Sequence, residues 1–331
     1  LKHLLILTAA DITAVGPGVF TKWKESLLIQ LYLRTLQEVS GEKAGDASVA
    51  RIKEICAQVH TAAALSSCGV SEAWIAEQLG QFPARYLYGT PPERIAVHLA
   101  AIRDLQPGQV QVLRDVNEAV GACEYTVLTF DGLTPGIFSK IAGVLAAKGL
   151  HILDAQIVTR LDGIVVDTFQ VSDPDYTGAP STERLHDVAE SVSVALTGHE
   201  TVDELIKRSQ RLTSAKSLPA GQKVTEVQVD NDTSSRYSII DVFAEDRQGL
   251  LYVMANTIFR LGLSVHAARI STRLDQVADV FYVTDTSGEK ILDPSRLEVI
   301  RTTIKESIDR VVQRGSGESV EGSSDTSSQG S

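Results

Sequence analysis

The stretches LHILDAQIVTRLDGIVVDTFQV (150–171) and LSVHAARISTRLDQVADVFYV (263–283) share the tetrapeptide TRLD and much of its surroundings. A glycine precedes both at a matching distance, since Gly249 follows Gly136 by 113 residues. An internal repeat of this length is typical of a duplicated domain rather than of a solenoid module. The fold is therefore expected to contain the same small domain twice.

Each copy predicts the order strand–helix–strand–strand–helix. In the first copy CEYTVLTF is typical of a strand, and IFSKIAGVLAAKG places apolar side chains on one helical face. Leu161–Gly163 then predicts a hairpin turn between two strands. The same order recurs from Tyr237. A final strand would complete a split βαβ, ferredoxin-like domain (βαββαβ). The alternating segment VTEVQVD, Val224–Asp230, could supply a missing edge strand to either copy.

The remaining segments are simpler. Residues 1–118 show helical periodicity, and residues 200–236 predict a linker with a possible edge strand. The segment from residue 314 is rich in Ser and Gly and predicts a disordered tail. The fold class is thus α+β. The chain opens in an apolar, helix-like run without an initiator Met, which leads us to expect the C-terminal piece of a longer protein.

The composition limits the classes of binding partner and the cellular compartment that we expect for this chain. The formal net charge of −11 over 331 residues argues against nucleic acid and against an anionic membrane surface. No apolar run reaches the roughly 18 residues that a membrane span requires. Cys56, Cys68 and Cys123 are widely spaced, which suggests neither a disulfide framework nor a zinc site and favours the cytoplasm.

The first strand-to-helix turn of each copy is the candidate site. DGLTPGIF and EDRQGLLY each carry an acidic residue, Asp131 or Asp246, and a glycine directly before the helix, Gly136 or Gly249. A helix start offers unpaired N–H groups and a partial positive charge, which suit a carboxylate such as that of an amino acid. The alternative is that the acidic residues only cap or shape the turn.

Other polar residues receive structural interpretations. Asp167 and Asp279 alternate in phase with apolar neighbours, so they are expected to face the core as anchors rather than as ligand contacts. We expect His266 to be a hydrogen-bonded, half-buried imidazole, and Lys140 and Arg160 to be solvated. The motifs of nucleophilic catalysis, metalloproteases, P-loops and dinucleotide binding do not occur.

Longer segments carry a resemblance to a known family. LLILTAADITAVGPGVFTKWKESLLIQLYLRT resembles the end of the HD phosphohydrolase domain in bifunctional PII uridylyltransferase/uridylyl-removing enzymes. FPARYLYGTPPERIAVHLAAI resembles the segment that follows that domain. VDNDTSSRYSIIDVFAEDRQGLLYVMANTIFRLGLSVHAARISTR resembles the second ACT domain of the same enzymes, and the order of the segments agrees.

The resemblance implies a domain plan and an activity. Residues 1–118 would be the C-terminal part of the HD domain with a connector, 122–199 the first ACT domain and 237–313 the second. The family attaches UMP from UTP to the PII signalling protein at an upstream transferase domain, and its HD domain removes that UMP with a divalent metal. Asp11, in TAAD, would be one ligand of Mg²⁺ or Mn²⁺. The other HD ligands do not occur in the sequence, so no complete catalytic set is expected.

The resemblance further implies that the ACT domains sense glutamine at the two turns. The expected effector-binding residues are Asp131, Pro135, Gly136, Ile137, Asp246, Gly249, Leu250 and Leu251. Because the two turns differ in length before the glycine, the two sites are not expected to be equivalent. A tandem-ACT sensor without an enzyme, whose helical part docks a partner, is the second interpretation. A structural homodimer that binds nothing is the third.

Overall fold

A computed structural model describes residues 2–14, 16, 28, 31, 32, 35, 45–62, 70–117, 122–176, 178–210, 225–247, 249–270, 272, 273 and 276–317. They divide into two compact units. The helical unit comprises Leu1–Gln111, Leu128–Phe130 and Val158–Val166. The ACT-like body comprises Val112–Val127, Asp131–Ile157 and Asp167–Ser331. The predicted helix over residues 20–36 lies mostly outside the described residues.

Five helices are described before residue 105: α1 (Lys2–Ala14), α2 (Gly45–Thr61), α3 (Glu72–Gly80), α4 (Ala84–Gly89) and α5 (Pro92–Asp104). Ser71 starts α3, because its hydroxyl accepts a hydrogen bond from the backbone N–H of Trp74. Proline occupies the first turn of α5, where a missing N–H costs nothing. These two helices present buried Ile75, Leu79 and Leu99 to the core of the helical unit.

The first repeat contains β1 (Gln111–Asn117), β2 (Ala122–Phe130), α6 (Ile137–Ala147), β3 (His151–Gln156), β4 (Ile164–Ser172) and α7 (Thr182–Leu196). Its sheet has the order β1-β2-β4-β3. The helical prediction through residue 118 is wrong for 111–117. Val110, Val112 and Val116 lie in one phase of a two-residue alternation that only Arg114 interrupts, and β-branched residues in that phase favour a strand over a helix.

The second repeat contains β5 (Glu226–Asp230), β6 (Ser238–Glu245), α9 (Leu250–Arg260), β7 (Leu263–Arg269), β8 (Thr272–Arg273), β9 (Gln276–Asp285) and α10 (Pro294–Gly317). Its main sheet has the order β5-β6-β9-β7, with antiparallel pairs throughout. The predicted edge strand therefore belongs to the second repeat. Helix α10 runs past residue 314, where the tail was predicted, and residues 318–331 lie outside the described part.

Both repeats confirm the α+β, ferredoxin-like class, with one difference of chain order. The strand that completes each sheet comes before the β2 or β6 strand that it pairs with, and not after the last helix. A strand added beside the first core strand satisfies the same row of backbone groups from either direction along the chain. The fold is the same, and only the origin of its edge differs.

A helix that the sequence interpretation missed follows the first repeat. Helix α8 (Val202–Gln210) lies inside the predicted linker. A capping box starts it, since the Thr201 N–H donates to the Glu204 carboxylate and the Glu204 N–H donates to the Thr201 hydroxyl. Val202 and Leu205 are buried. The Thr-x-x-Glu spacing was therefore a readable signal for this helix.

The two repeats pack together through their helical layers and edges. Helices α6 and α9 contact each other, and Cα atoms of β3 and β7 approach within 8 Å. The Phe138 ring on α6 lies 6.1 Å from Phe169 of its own sheet and 6.3 Å from Phe281 of the other, measured between ring centroids. The apolar helix faces predicted for the two repeats are buried at Ile141 and Met254. This packing brings each strand-to-helix turn close to the opposite repeat.

Candidate effector site

The turn of the second repeat is built around Gly249. Its φ of 79° lies in the left-handed region, which a residue without Cβ adopts without strain. The Leu250 N–H donates to the Arg247 carbonyl, and α9 begins directly afterwards. Gly249 directly precedes α9 and has no side chain with which to cap the first N–H groups of the helix. Gly249, Leu250 and Leu251 line a cavity, so the start of α9 lies beside it.

This cavity, the Gly249 cleft, has a volume of about 200 Å³. The second repeat contributes Asp246, Arg247, Gly249, Leu250, Leu251, Tyr252, Ile270, Val277 and Asp279, and the first contributes Ala142, Ala146, residues 150–153 and Ser172. It thus lies where the two repeats meet inside the ACT-like body. Such a volume suits a ligand smaller than a typical drug molecule.

The Gly249 cleft carries charges of both signs. An Arg247 Nη atom donates to Glu245 Oε1 at 2.6 Å, and both side chains are largely buried. The Arg247 Nε atom is buried and has no hydrogen-bond partner among the described residues. The Asp279 side chain is 1% exposed and faces the cleft from β9. The buried Arg247 donor lies close to the start of α9, and the carboxylates of Asp246 and Asp279 also line the cleft. Groups of both signs match the opposite charges of a zwitterion.

The turn of the first repeat has the same backbone but different surroundings. Gly136 adopts a φ of 71° directly before α6, again without a side-chain cap in the described part of the chain. A cavity of about 200 Å³, the Gly136 cleft, lies beside it and is lined by Pro135, Lys140, Glu200 and Asp203, among others. The Phe259 ring covers the glycine, since a Cβ atom on Gly136 would lie 3.2 Å from that ring.

One pair of equivalent positions accounts for this difference. Phe259 follows Ala146 by 113 residues, the spacing that also relates the two turn glycines. A Cβ atom on Gly249 would meet only the Ala146 methyl group, at 4.0 Å. Each repeat thus covers the turn of the other with the same helix position, once with a methyl group and once with a phenyl ring. The Gly249 cleft keeps an open helix start, and the Gly136 cleft does not.

The predicted effector residues divide between the clefts. Asp246, Gly249, Leu250 and Leu251 line the Gly249 cleft, whereas Pro135 and Gly136 line the other. Ile137 is buried in the core, and Asp131 is exposed in its turn; neither lines a described cavity. Asp167 and Asp279 are both buried, as predicted, but only Asp279 reaches a cleft.

The structure places Asp11 on the exposed side of α1. Within the described residues no group of three or more His, Cys, Asp or Glu side chains stands close enough to hold a metal ion. A divalent-metal site needs several oxygen or nitrogen ligands around the ion, and Asp11 supplies only one carboxylate of such a set. Asp11 as a metal ligand therefore stays a prediction, and no step is assigned to the ion.

The predictions that Lys140 and Arg160 are solvated need correction. Lys140 is half-buried and donates to the Thr134 hydroxyl, and burial lowers its pKa. Arg160 is 3% exposed rather than solvated. Its guanidinium donates to both oxygens of Asp162 and to the Gln78 amide oxygen, and it lies 4.8 Å from the centroid of the Phe82 ring. These contacts desolvate the charge and replace its water with three protein partners.

The interpretation of His266 is confirmed. Its Nε2 atom is hydrogen-bonded to the Thr284 hydroxyl at 2.8 Å, and its ring stacks obliquely beside Tyr237.

The sequence interpretation missed the cleft residues Ala146, His151 and Ser172, which come from the first repeat. No local pattern marks them, because they enter the site only through packing between repeats. Alignment of the repeats does pair Ala146 with Phe259, and that was the available signal.

Comparisons with known proteins agree with this architecture. A family model described as ACR9-like, ACT-like domain matches residues 226–314. Its range begins at the edge strand β5 and ends within α10. Bifunctional uridylyltransferase/uridylyl-removing enzymes match almost the whole chain. The chain is similar to the C-terminal part of these enzymes.

The similarity is moderate and extends along the chain. The enzyme of Rhodopseudomonas palustris is 32% identical over 311 residues, which is 92% of this chain and 32% of that enzyme. The enzyme of Rhodospirillum rubrum is 33% identical over 326 residues, 95% of this chain and 33% of the enzyme. The chain therefore spans about a third of the length of the curated relatives that it matches. No described helix is long and apolar enough to cross a membrane.

Proposed function

We propose that this chain is the regulatory C-terminal portion of a bifunctional enzyme that uridylylates the PII signalling protein with UTP and hydrolytically removes UMP from it. The similarity to such enzymes over 92% of the chain and the ACT-like fold of residues 226–314 support this role. The part of the relatives that this chain does not span would carry the transferase site. Residues 1–110, which precede β1, would be the end of the HD domain with its connector, and Asp11 would be one ligand of Mg²⁺ or Mn²⁺.

Glutamine is the proposed effector, and the Gly249 cleft is its proposed site. The observation that carries this assignment is the start of α9, where Gly249 has no side chain to cap the helix and Ala146 leaves space beside the glycine. The glutamine carboxylate would meet the first N–H groups of α9 and the Nε–H of Arg247, which has no hydrogen-bond partner among the described residues. Asp246 and Asp279 would meet the ammonium group. The Gly136 cleft is the weaker candidate, because Phe259 covers its helix start.

Regulation requires that glutamine bind one arrangement of the chain more tightly than another. A coupling free energy of about 1–3 kcal/mol would shift the balance of two states about 5- to 150-fold. The cleft provides a physical basis for such a difference, because both repeats line it. Any change in the packing of the repeats therefore changes the cleft, and a bound ligand opposes that change.

A chimera tests this function directly. The present chain would replace the matching C-terminal third of the Rhodopseudomonas palustris enzyme, and UMP removal from uridylylated PII would be measured against glutamine concentration. We expect removal to increase with glutamine. The control is the parent enzyme truncated before this region. A chimera that removes UMP at one constant rate, while the chain itself binds glutamine, would contradict the regulatory role and favour the separate tandem-ACT sensor.

A further inference from the structure

The helix α8 packs on the outer surface of α6 in the first repeat. Gly143 makes the approach possible, since a Cβ atom there would collide with the Val202 side chain and would lie 2.8 Å from the Tyr252 ring. The Tyr252 hydroxyl donates to the Asp203 carboxylate at 3.2 Å. Burial of Val202 and Leu205 completes the contact. The first repeat thus carries a docked amphipathic helix on α6.

The second repeat has the same surface on α9 without a described helix on it. Gly143 and Val144 of α6 correspond to Asn256 and Thr257 of α9. The first pair is buried, whereas the second pair is only half-buried. Two equivalent helix faces therefore differ in whether a third helix covers them within the described part of the chain.

The path of the chain explains the difference. Helix α7 ends at Leu196, and the chain turns at Gly198, whose φ is 81°, and returns over α6 as α8. The residue that corresponds to Leu196 is Ile308, yet α10 continues beyond it to Gly317. Its extra turns carry Arg310 and Val311 alongside α9. No described segment then returns across α9 as α8 does across α6.

The uncovered surface forms a groove of about 450 Å³ between α9 and α10, the α9–α10 groove. Val253, Leu261 and Val311 supply its apolar lining, and Arg260 and Arg310 its charges. The other lining residues are polar: Asn256, Thr257, Thr303 and Ser307. Neither arginine forms an ion pair with a described residue. In a chain with a formal net charge of −11, this partly apolar groove carries two arginines, so its local charge is opposite to that of the chain as a whole.

We propose that the α9–α10 groove docks an acidic amphipathic helix of a partner protein, in the way that α6 docks α8. The template is α8 itself, which buries Val202 and Leu205 and carries Asp203 and Glu204 in its first turn. Apolar side chains at i and i+3 would enter the groove, and acidic side chains would meet Arg260 and Arg310. The proposal does not depend on glutamine sensing.

A helix-stabilised peptide with the sequence of residues 200–210, ETVDELIKRSQ, is the probe. In the intact chain its own α8 occupies the site on α6, so an added peptide reports on the equivalent site. We expect saturable binding in fluorescence anisotropy, with amide shifts in NMR spectra on α9 and α10. Arg310→Glu should weaken binding about tenfold, because it reverses a charge beside the acidic turn. Thr303→Trp should abolish binding by filling the groove.

Arg301→Glu is the matched control, because Arg301 lies on α10, pairs with Glu298 and does not line the groove. It should leave binding within twofold of the unmodified chain, and circular dichroism checks that each variant folds. No binding at millimolar peptide, or equal binding by the Arg301→Glu and Arg310→Glu variants, would overturn the proposal. Shifts on α6 would do the same. Binding that requires removal of residues 318–331 would assign the groove to the chain's own C-terminal segment instead.

Discussion

At the scale of single residues, Arg160 shows what a local sequence pattern leaves out. The tetrapeptide TRLD places it at the end of a strand before a hairpin turn, where a solvated side chain is the usual outcome. Within the helical unit, the Arg160 side chain instead packs against residues 78–82. Gln78 and Phe82 contact its guanidinium, and the neighbouring Leu161 N–H donates to the Gln81 carbonyl. Asp162 lies within TRLD, but Gln78 and Phe82 lie about 80 residues away along the chain, so no window around TRLD contains these two partners.

We expect Arg160→Met to lower the free energy of unfolding by about 2 kcal/mol, because it removes several charge-assisted hydrogen bonds from a buried site. The measurement is chemical denaturation of the intact chain. The matched control is Arg301→Met, which breaks an exposed Arg–Glu pair and should cost less than about 1 kcal/mol. Equal losses in the two variants would show that the buried contacts add nothing to stability.

In the candidate site, too, local sequence predicts the backbone of a turn but not the contacts that come from distant parts of the chain. The turns DGLTPGIF and EDRQGLLY place a glycine directly before each helix, and in the structure both glycines adopt a positive φ, a conformation that glycine adopts without strain. Access to those turns depends on Ala146 and Phe259, which belong to the opposite repeat. Sequence reasoning could thus predict the backbone of each turn but not what covers it.

At the scale of elements, α4 and α5 are joined by a buried contact between a tyrosine and a histidine. Tyr86 on α4 is hydrogen-bonded through its hydroxyl to Nδ1 of His98 on α5 at 2.6 Å. Burial, and to a smaller extent the charge of Arg94, lowers the pKa of His98 to about 3. The folded chain therefore holds a neutral imidazole at pH values where an unfolded chain, with a pKa of about 6.5, would begin to bind a proton.

This depressed pKa fixes the sign of a pH effect. The stabilisation is fully present above about pH 6.5 and is lost as the pH falls toward 3, by up to about 1.4 kcal/mol per pH unit. Between pH 6.5 and 5 we expect His98 to account for about 2 kcal/mol of lost unfolding free energy. His98→Gln, which keeps a polar group for Tyr86, should remove that slope.

His186→Gln is the control, since His186 is exposed on α7 and its replacement should leave the slope unchanged. Denaturation curves at pH 6.5, 6.0, 5.5 and 5.0 provide the comparison, above the range in which most carboxylates titrate. A slope that persists undiminished in His98→Gln would show that His98 is not the titrating group.

Elements differ in how far the sequence predicts them. The helices α6 and α9 and their following strands were predictable, because apolar periodicity and turn glycines agree in both repeats. The strand β1 and the helix α8 were not predicted, although Val110–Val116 alternates and Thr201–Glu204 forms a capping box. The strand β1 lies in a segment that was predicted to be helical, and α8 lies in one that was predicted to be a linker. Pairing with the sheet decides for a strand in the first case, and packing on α6 decides for a helix in the second.

At the scale of the whole chain, duplication explains both the similarity and the difference of the repeats. The two copies share their fold, their turn glycines and their buried aspartates. They differ at the positions that face the other copy, where Ala146 opposes Gly249 and Phe259 opposes Gly136. They also differ beyond their last helix, because the first copy continues into α8. The proposed effector site and the proposed helix-docking groove both involve the second repeat, at positions where the two copies differ.

The most direct test of this account is the binding of glutamine to the chain and to a matched pair of variants. Isothermal titration calorimetry would compare the chain with Ala146→Phe, which places a ring over Gly249, and with Phe259→Ala, which uncovers Gly136. We expect one glutamine to bind per chain, Ala146→Phe to abolish binding, and Phe259→Ala to preserve it. Undiminished binding by a folded Ala146→Phe variant, or no heat from the unmodified chain at millimolar glutamine, would contradict the assignment of the effector site to the Gly249 cleft.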